Sequence, residues 1–373
     1  MGKKTRVAFV GCGAFCSGIH APNVSANPGF EIVAFCDLSE ERLAELDEMY
    51  QPRYVTTDME RVFGDDEVDA VICGTKPNVR MPIMRLAVKH GKPLFVEKPL
   101  CYAEEEVEEM VRLIGESGLP FMVGFNRPYS PIMQAVKPLY QGVRKGNTLM
   151  VYRIIGEAQL WPASHKRAII EEKESTIVHE ATHIFDLLNW LTGGAPRRVF
   201  STGGGNMDNI ITLDYPRDVW AVVISGDNAC SGYPKERLEI DSNHATIVAE
   251  GFSELTAMGV EAGFVRRHFG LTGELSTGWE THEEKLERGW AFRQGITEEQ
   301  KAYGYYYPKG RERRSMKGHY EELEHFRQSI VAGKAPETGV VRGAMAEVTA
   351  WRAVESWEKG EPVALDFGHL QRS

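Results

Sequence analysis

The chain has 373 residues, a net charge of −10, 42% apolar residues and 26% charged residues. That length exceeds one ordinary core and suits two domains, and the balance is that of a globular chain rather than a disordered or fibrous one. An acidic surplus without a basic block argues against nucleic acid as a partner, and no apolar run approaches the ~20 residues that span a bilayer. The N-terminus, Met1 to Thr5, has a basic start but no signal-peptide core. Cys12, Cys16, Cys36, Cys73, Cys101 and Cys230 form no CxxC pair. Reduced thiols in a cytoplasmic protein are therefore expected.

In chain order, Val7 to Val10 is a short apolar strand running into Gly11-Cys12-Gly13-Ala14-Phe15-Cys16. A strand followed by GxGxx is the turn that binds a dinucleotide. Gly11 serves the tight turn and Gly13 the approach of a pyrophosphate to a helix N-terminus. Cys16 stands where a third small residue is usual, which should hold the helix slightly further from its strand. Ala14 and Phe15 fall at the same helix start. A lone GxG also serves ordinary turns, so the context matters. Glu31 to Cys36 reads as a second strand, ended by Asp37, 26 residues after Gly11. An acid there bonds the ribose hydroxyls of an adenosine and repels a 2′-phosphate. Leu38 follows where a phosphate-binding arginine could stand, so NAD is expected over NADP, with Arg42 as the residue that leaves the choice open.

Val68 to Gly74 reads as a third strand, Thr75 to Asn78 as its turn, and Met81 to His90 as a helix closed by Gly91. Leu94 to Val96 is a buried strand that ends in Glu97-Lys98-Pro99. Ligands bind beyond the carboxyl ends of such strands, and the proline restricts Lys98. On that tripeptide alone, a solvated strand-end charge is the better reading of Lys98. Ala103 to Ser117 is an acidic amphipathic helix and Phe121 to Phe125 another strand. Short strands alternating with helices predict a doubly wound parallel sheet ending near Asn126.

Taken together, the GxG turn, Asp37, Glu97-Lys98-Pro99 and Gly124-Phe125-Asn126-Arg127-Pro128-Tyr129 resemble the glucose–fructose oxidoreductase/inositol dehydrogenase (Gfo/Idh/MocA) family. The resemblance implies an α/β chain: an N-terminal Rossmann domain over 1–126, and a C-terminal α+β domain over 127–373 with an open, mostly antiparallel sheet. It implies an NAD(P)-dependent carbohydrate dehydrogenase with cofactor contacts from Gly11, Gly13, Ala14, Phe15, Asp37, Thr75, Asn78, Glu97, Lys98 and Asn126. It makes Lys98 catalytic or substrate-orienting and puts the Tyr129 phenol near the cofactor cleft, in reach of a sugar. It also implies that one sheet face packs in a homodimer or homotetramer.

Beyond Asn147, strand-like runs follow one another with short turns, as in an antiparallel sheet. His179-Glu180-Ala181-Thr182-His183 opens a helix with apolar spacing at Ile184, Leu187, Leu188 and Leu191. Its HExxH pattern is also that of zinc proteases. The dinucleotide signals in the same chain outweigh that reading, and no metal is expected. In the resembling family an aspartate commonly stands four residues before the helix-start histidine. Here His183 matches the histidine and His179 occupies the aspartate position, either as its substitute or as a space filler. Glu180 fits a sub-branch with a glutamate three residues before the histidine, or simply complements the helix dipole.

Oxidising a secondary alcohol needs a base, which His183 can be, and Lys98 can stabilise an alkoxide or relay the proton. In the family the loop before this helix reaches the substrate, which makes Trp161, Lys166 and Arg167 substrate candidates, with a solvated loop as the plainer reading. Arg80 stands where many relatives have a histidine. Two or three cations at one pocket would point to an acidic sugar. Residues 254–314 read as a charge-rich insertion, open between an arm, a lid and packing between subunits. The expected function is hydride transfer at a secondary hydroxyl carbon of a sugar, sugar derivative or cyclitol. Two alternatives are an NAD-dependent glycoside hydrolase acting through transient ring-hydroxyl oxidation, and a non-catalytic dinucleotide sensor.

Overall fold

The structure, a computed structural model, describes residues 3–158, 175–205, 207–230, 233–269 and 316–370, with 287, 290, 291 and 294. The first sheet holds β1 (Thr5–Val10), β2 (Phe30–Cys36), β3 (Tyr54–Thr56), β4 (Ala70–Cys73), β5 (Leu94–Val96) and β6 (Phe121–Val123). All its pairings are parallel, in the order β3-β2-β1-β4-β5-β6. β4, β5 and β6 are buried at every position, which is what continuous apolar runs covered on both faces require. The order reverses between β1 and β4, so the crevice beyond their carboxyl ends is the natural ligand position.

The connecting helices are α1 (Ala21–Ala26), α2 (Glu40–Tyr50), α3 (Met59–Phe63), α4 (Arg80–His90) and α5 (Glu104–Ser117). The short units β3 and α3 escaped the sequence reading. A wide helical turn over Cys16–His20 precedes α1, and the Ala21 N–H bonds back to the Cys16 carbonyl. Pro22 follows at once; it lacks an N–H and crowds the preceding turn, which accounts for the local widening.

α6 (Pro131–Val143) leads to the second sheet. Its strands are β7 (Thr148–Ile155), β8 (Arg198–Gly203), β9 (Asn209–Tyr215), β10 (Val219–Gly226), β11 (Glu236–Ser242), β12 (Ala245–Glu250), β13 (Glu254–Val260), β14 (Gly263–His268) and β15 (Val363–Ala364). The order is β14-β13-β12-β11-β7-β10-β9-β8-β15. Among the described strands of this sheet only β7 and β10 run parallel. Residues 254–268 are thus an edge hairpin of the sheet rather than an insertion, while Tyr303 to Pro308 lie outside the described residues. β7, β9 and β10 alternate buried and outward positions, so one face of the sheet is covered and the other open.

The fold also holds, among the described residues, α7 (Thr182–Thr192), α8 (His319–Ala332) and α9 (Val340–Lys359). α7 is buried at every position. Its fully buried Asp186 receives Arg342 of α9 on both oxygens, Nε to Oδ1 at 2.6 Å and Nη2 to Oδ2 at 2.7 Å. The last two helices also return to the first sheet. α8 packs on α1, α9 on α5, and the Val123 N–H bonds the Thr338 carbonyl at 2.9 Å.

Removing one partner of a buried ion pair leaves an uncompensated charge, at a cost of about 3–5 kcal/mol. Arg342→Leu should therefore lower the unfolding free energy in urea by roughly that amount. The double variant Asp186→Leu/Arg342→Leu should recover part of the loss. A single variant as stable as the wild type would show that the pair does not secure α7.

Candidate active site

At the nucleotide end, Gly11 has φ +79°, and a Cβ there would fall 2.5 Å from Thr75 Cγ2. Only glycine allows that turn beneath the next strand end. A Cβ on Gly13 would meet nothing within 4 Å. The protein therefore leaves a cradle beside the first turn of the helix, where backbone N–H groups favour an anion. The size of Cys16 is met from the opposite side: a Cβ on Gly74 would fall 2.9 Å from Cys16 Cβ, so the bare backbone there makes the room. Ala14 is exposed at the helix start and Phe15 half-buried.

Asp37 ends β2 with its carboxylate fixed by two backbone donors, Cys12 N–H to Oδ2 at 2.7 Å and Ser39 N–H to Oδ1 at 2.9 Å. Arg42 also reaches Oδ1 at 3.2 Å. Leu38 is 89% exposed. The open cradle at Gly13 and an oriented acid at the end of β2 fit a dinucleotide with a ribose on Asp37. Thr75 is half-buried at the end of β4, its hydroxyl 3.2 Å from Cys73 Sγ, and Asn78 is exposed on the turn Pro77–Val79.

Beyond β5, the Glu97 carboxylate turns inward to the fully buried His20, Oε1 to Nε2 at 2.5 Å. It also accepts the Lys98 N–H at 3.2 Å. Lys98 Nζ donates to the His179 carbonyl at 2.7 Å. His179 therefore serves Lys98 with its backbone oxygen, while its ring lies 6.4 Å from the Tyr102 ring. Burial lowers the Lys98 pKa, opposed by the charges of Glu180 and Glu97. Glu180 itself pairs with Lys235 at 3.2 Å.

His183 is 7% exposed at the start of α7, edge-on to Phe125 at 5.5 Å, and its Nδ1 has no hydrogen-bond partner. Burial pushes its pKa well below the usual value, helped by the charges of Arg127 and Lys98. The imidazole is therefore neutral near pH 7 and has a nitrogen able to take a proton.

Around these groups lies a buried network that the sequence reading missed. Glu236 on β11 accepts Arg127 Nε at 2.9 Å and Nη2 at 3.0 Å, Lys317 Nζ at 2.8 Å and the Tyr152 hydroxyl at 2.8 Å. Burial alone would raise the Glu236 carboxyl, but Arg127, Lys317 and Lys235 hold it well below the carboxylate range. His319, one residue beyond Gly318, is buried with an unpartnered Nδ1. Glu322, a turn further along α8, is fully buried with neither oxygen bonded, and burial pushes its pKa well up. Among the described residues no three His, Cys, Asp or Glu side chains are placed to hold a metal.

Three residues singled out in the sequence have hydrogen-bond partners that the sequence did not show. The Tyr129 hydroxyl is 3.0 Å from Thr338 Oγ1 and accepts the Thr338 N–H at 3.2 Å, which ties it to the segment before α9. Arg80 is 1% exposed, bonded to the Thr75 and Pro99 carbonyls, and clamps two strand ends from behind. The Asn126 side chain donates to the Lys317 carbonyl and accepts from Arg127, and so positions both neighbours. Trp161, Lys166 and Arg167 lie outside the described residues.

Comparison with known proteins agrees with this architecture. Residues 5–125 match the family model described as an oxidoreductase family with the NAD-binding Rossmann fold. The myo-inositol 2-dehydrogenase of Thermotoga maritima is 23% identical, over 97% of this chain and 98% of the relative. The 2,7-anhydro-N-acetylneuraminate hydratase of Mediterraneibacter gnavus is 31% identical, over 40% of each chain. The crystal structure of an oxidoreductase from Agrobacterium radiobacter with NAD+, L-tartaric acid and magnesium superposes with a TM-score of 0.76 at 17% identity. That superposition covers 98% of this chain and 99% of the other. Residues 5–125 thus match the Gfo/Idh/MocA oxidoreductase family model, and the whole chain, a parallel sheet joined to a mostly antiparallel one, shares the fold of that solved structure.

Proposed function

We propose that the protein is an NAD-dependent oxidoreductase acting at a secondary hydroxyl carbon of a sugar, sugar derivative or cyclitol. Residues 1–126 hold the dinucleotide and 127–373 shape the substrate site, except where α8 and α9 return. The observation that carries this reading is His183: neutral, buried, with an unpartnered Nδ1, in the electrostatic neighbourhood of Lys98. A bound nicotinamide dinucleotide supplies a hydride acceptor at one ring carbon. The chain supplies everything that handles the proton. His183 Nδ1 takes the hydroxyl proton as the carbonyl forms, and the Lys98 ammonium stabilises the oxygen while its charge is developing. In the reverse direction the same nitrogen returns the proton.

NAD rather than NADP is supported by Asp37, fixed by two backbone donors, with Arg42 already paired to it. The open sheet face exposes Leu149, Val151, Ile210, Trp220, Met258 and Phe264. An apolar face of that kind supports a homodimer or homotetramer. Unpaired cysteines support a cytoplasmic setting. The similarity to a hydratase supports a second reading, in which transient oxidation serves elimination and hydration with no net redox change.

The test is NADH absorbance alongside product chromatography, with NAD and a panel of sugars, cyclitols and glycosides. NADH formed in step with substrate loss supports the dehydrogenase. A NAD-dependent conversion without NADH selects the second reading. Binding of NAD with no turnover of any compound counts against both.

Two variants sharpen the account. His183 must be unprotonated to act as base, and its pKa lies below 6.5. Wild-type kcat/KM should therefore stay level as pH falls to 6.5 and drop only below it. His183→Asn should lower kcat/KM by about 10²- to 10⁴-fold and remove that acid limb. An acid limb above pH 6.5, or one kept in the variant, speaks against His183 as the base. Asp37→Ser should cut kcat/KM for NAD by roughly tenfold or more and narrow the preference over NADP, because Arg42 is released toward a 2′-phosphate. An unchanged cofactor ratio would dismiss the role of Asp37.

A further inference from the structure

His319 stands outside the roles assigned so far, and its surroundings are unusually constrained. Gly318 before it has φ +98°, and a Cβ there would fall 2.4 Å from the Asn126 carbonyl oxygen and 2.5 Å from Ser130 N. The start of α8 is therefore pressed onto the 126–130 segment. Asn126 Nδ2 holds the Lys317 carbonyl at 2.8 Å, and Lys317 Nζ holds Glu236 at 2.8 Å. The His319 ring meets Phe15 edge-on at 5.7 Å, beside the glycine turn. It is 8% exposed, and its Nδ1 has no hydrogen-bond partner.

A buried polar atom left without a hydrogen bond is costly to the fold. Here it sits on a segment fixed from three sides, between the nucleotide turn and the Arg127–Glu236–Lys317 network. His183, on another helix, carries the same unpartnered nitrogen. A positive charge on His319 would act on His183, so the two rings share one neighbourhood. Burial, with the charges of His20 and Lys317, keeps the His319 imidazole neutral. Two neutral imidazoles, each with one donor and one acceptor, suit hydroxyl groups.

We infer that His319 is a substrate-binding residue whose Nδ1 hydrogen-bonds a second hydroxyl of the polyol that His183 deprotonates. It is a specificity determinant for polyhydroxylated rings with at least two free hydroxyls, and it makes no claim on the hydride step. The inference rests on the proposed function, and its test reads binding rather than turnover.

The measurement is isothermal titration of NAD-loaded protein with myo-inositol, D-glucose, D-galactose and their monodeoxy analogues. His319→Leu should weaken the tightest of these polyols by about 10- to 100-fold with NAD affinity unchanged. His319→Asn, which keeps a polar atom at the Nδ1 position, should restore most of it. One monodeoxy analogue should bind wild type as weakly as the parent polyol binds His319→Leu, and removing that hydroxyl should cost the variant nothing more. If His319→Leu does not fold, His319→Asn against His319→Gln carries the same contrast. A shift in NAD affinity instead, equal losses for every deoxy position, or no binding of any polyol by wild type overturns the inference. Polyol binding that depends on His319 without any NAD-dependent conversion would sink the proposed function alone.

Discussion

One buried carboxylate organises the site. Glu236 accepts the fork of Arg127, the amine of Lys317 and the hydroxyl of Tyr152, and is itself almost wholly shielded from solvent. Those donors come from the segment after the parallel sheet, from the strand that starts the second sheet, and from the approach to α8. A carboxylate buried without them would be intolerable, and the cations without it equally so. Their mutual dependence brings three remote stretches of chain to one point. The same cations act on the neighbours: Arg127 is the largest charge effect lowering the pKa of His183.

Charge state and position are thus set by the same contacts. His183 sits on a helix buried at every position, locked to α9 through Asp186 and Arg342. Lys98 is held at the end of β5 by the His179 carbonyl. Because that oxygen carries no net charge, it orients the amine without the stronger attraction a carboxylate would bring. Glu180, paired with Lys235, supplies a negative charge from further away. Lys98 is therefore oriented by a carbonyl contact and balanced by a more remote carboxylate.

Much of the nucleotide end was legible in the sequence because its signals are local. A strand, a GxG turn and an acid closing the next strand lie within about one βαβ unit, whose geometry is nearly invariant. The parallel sheet followed from apolar runs, although the three residues of β3 were too few to register. Three side chains near the cleft have partners that no local pattern shows. Tyr129 bonds Thr338 and Asn126 bonds Lys317, 209 and 191 residues away, while Arg80 caps carbonyls on two other turns. A polar side chain near a cleft can point either way, and only the distant partner decides. Arg127 and Glu236 were missed for the same cause, being 109 residues apart. The one available hint was the helix start at Lys317-Gly318-His319, where glycine separates two polar residues.

The central claim is that this framework holds His183 uncharged with a nitrogen awaiting its ligand. The most direct measurement is an NMR titration of the histidine ring signals, with His183 assigned by comparison with His183→Asn. The account predicts that His183 keeps neutral-ring shifts well below pH 6.5, and that its Nδ1 signal moves when the NAD-loaded protein takes up a polyol. A ring that titrates at or above pH 6.5, or that is indifferent to every bound polyol, would contradict it.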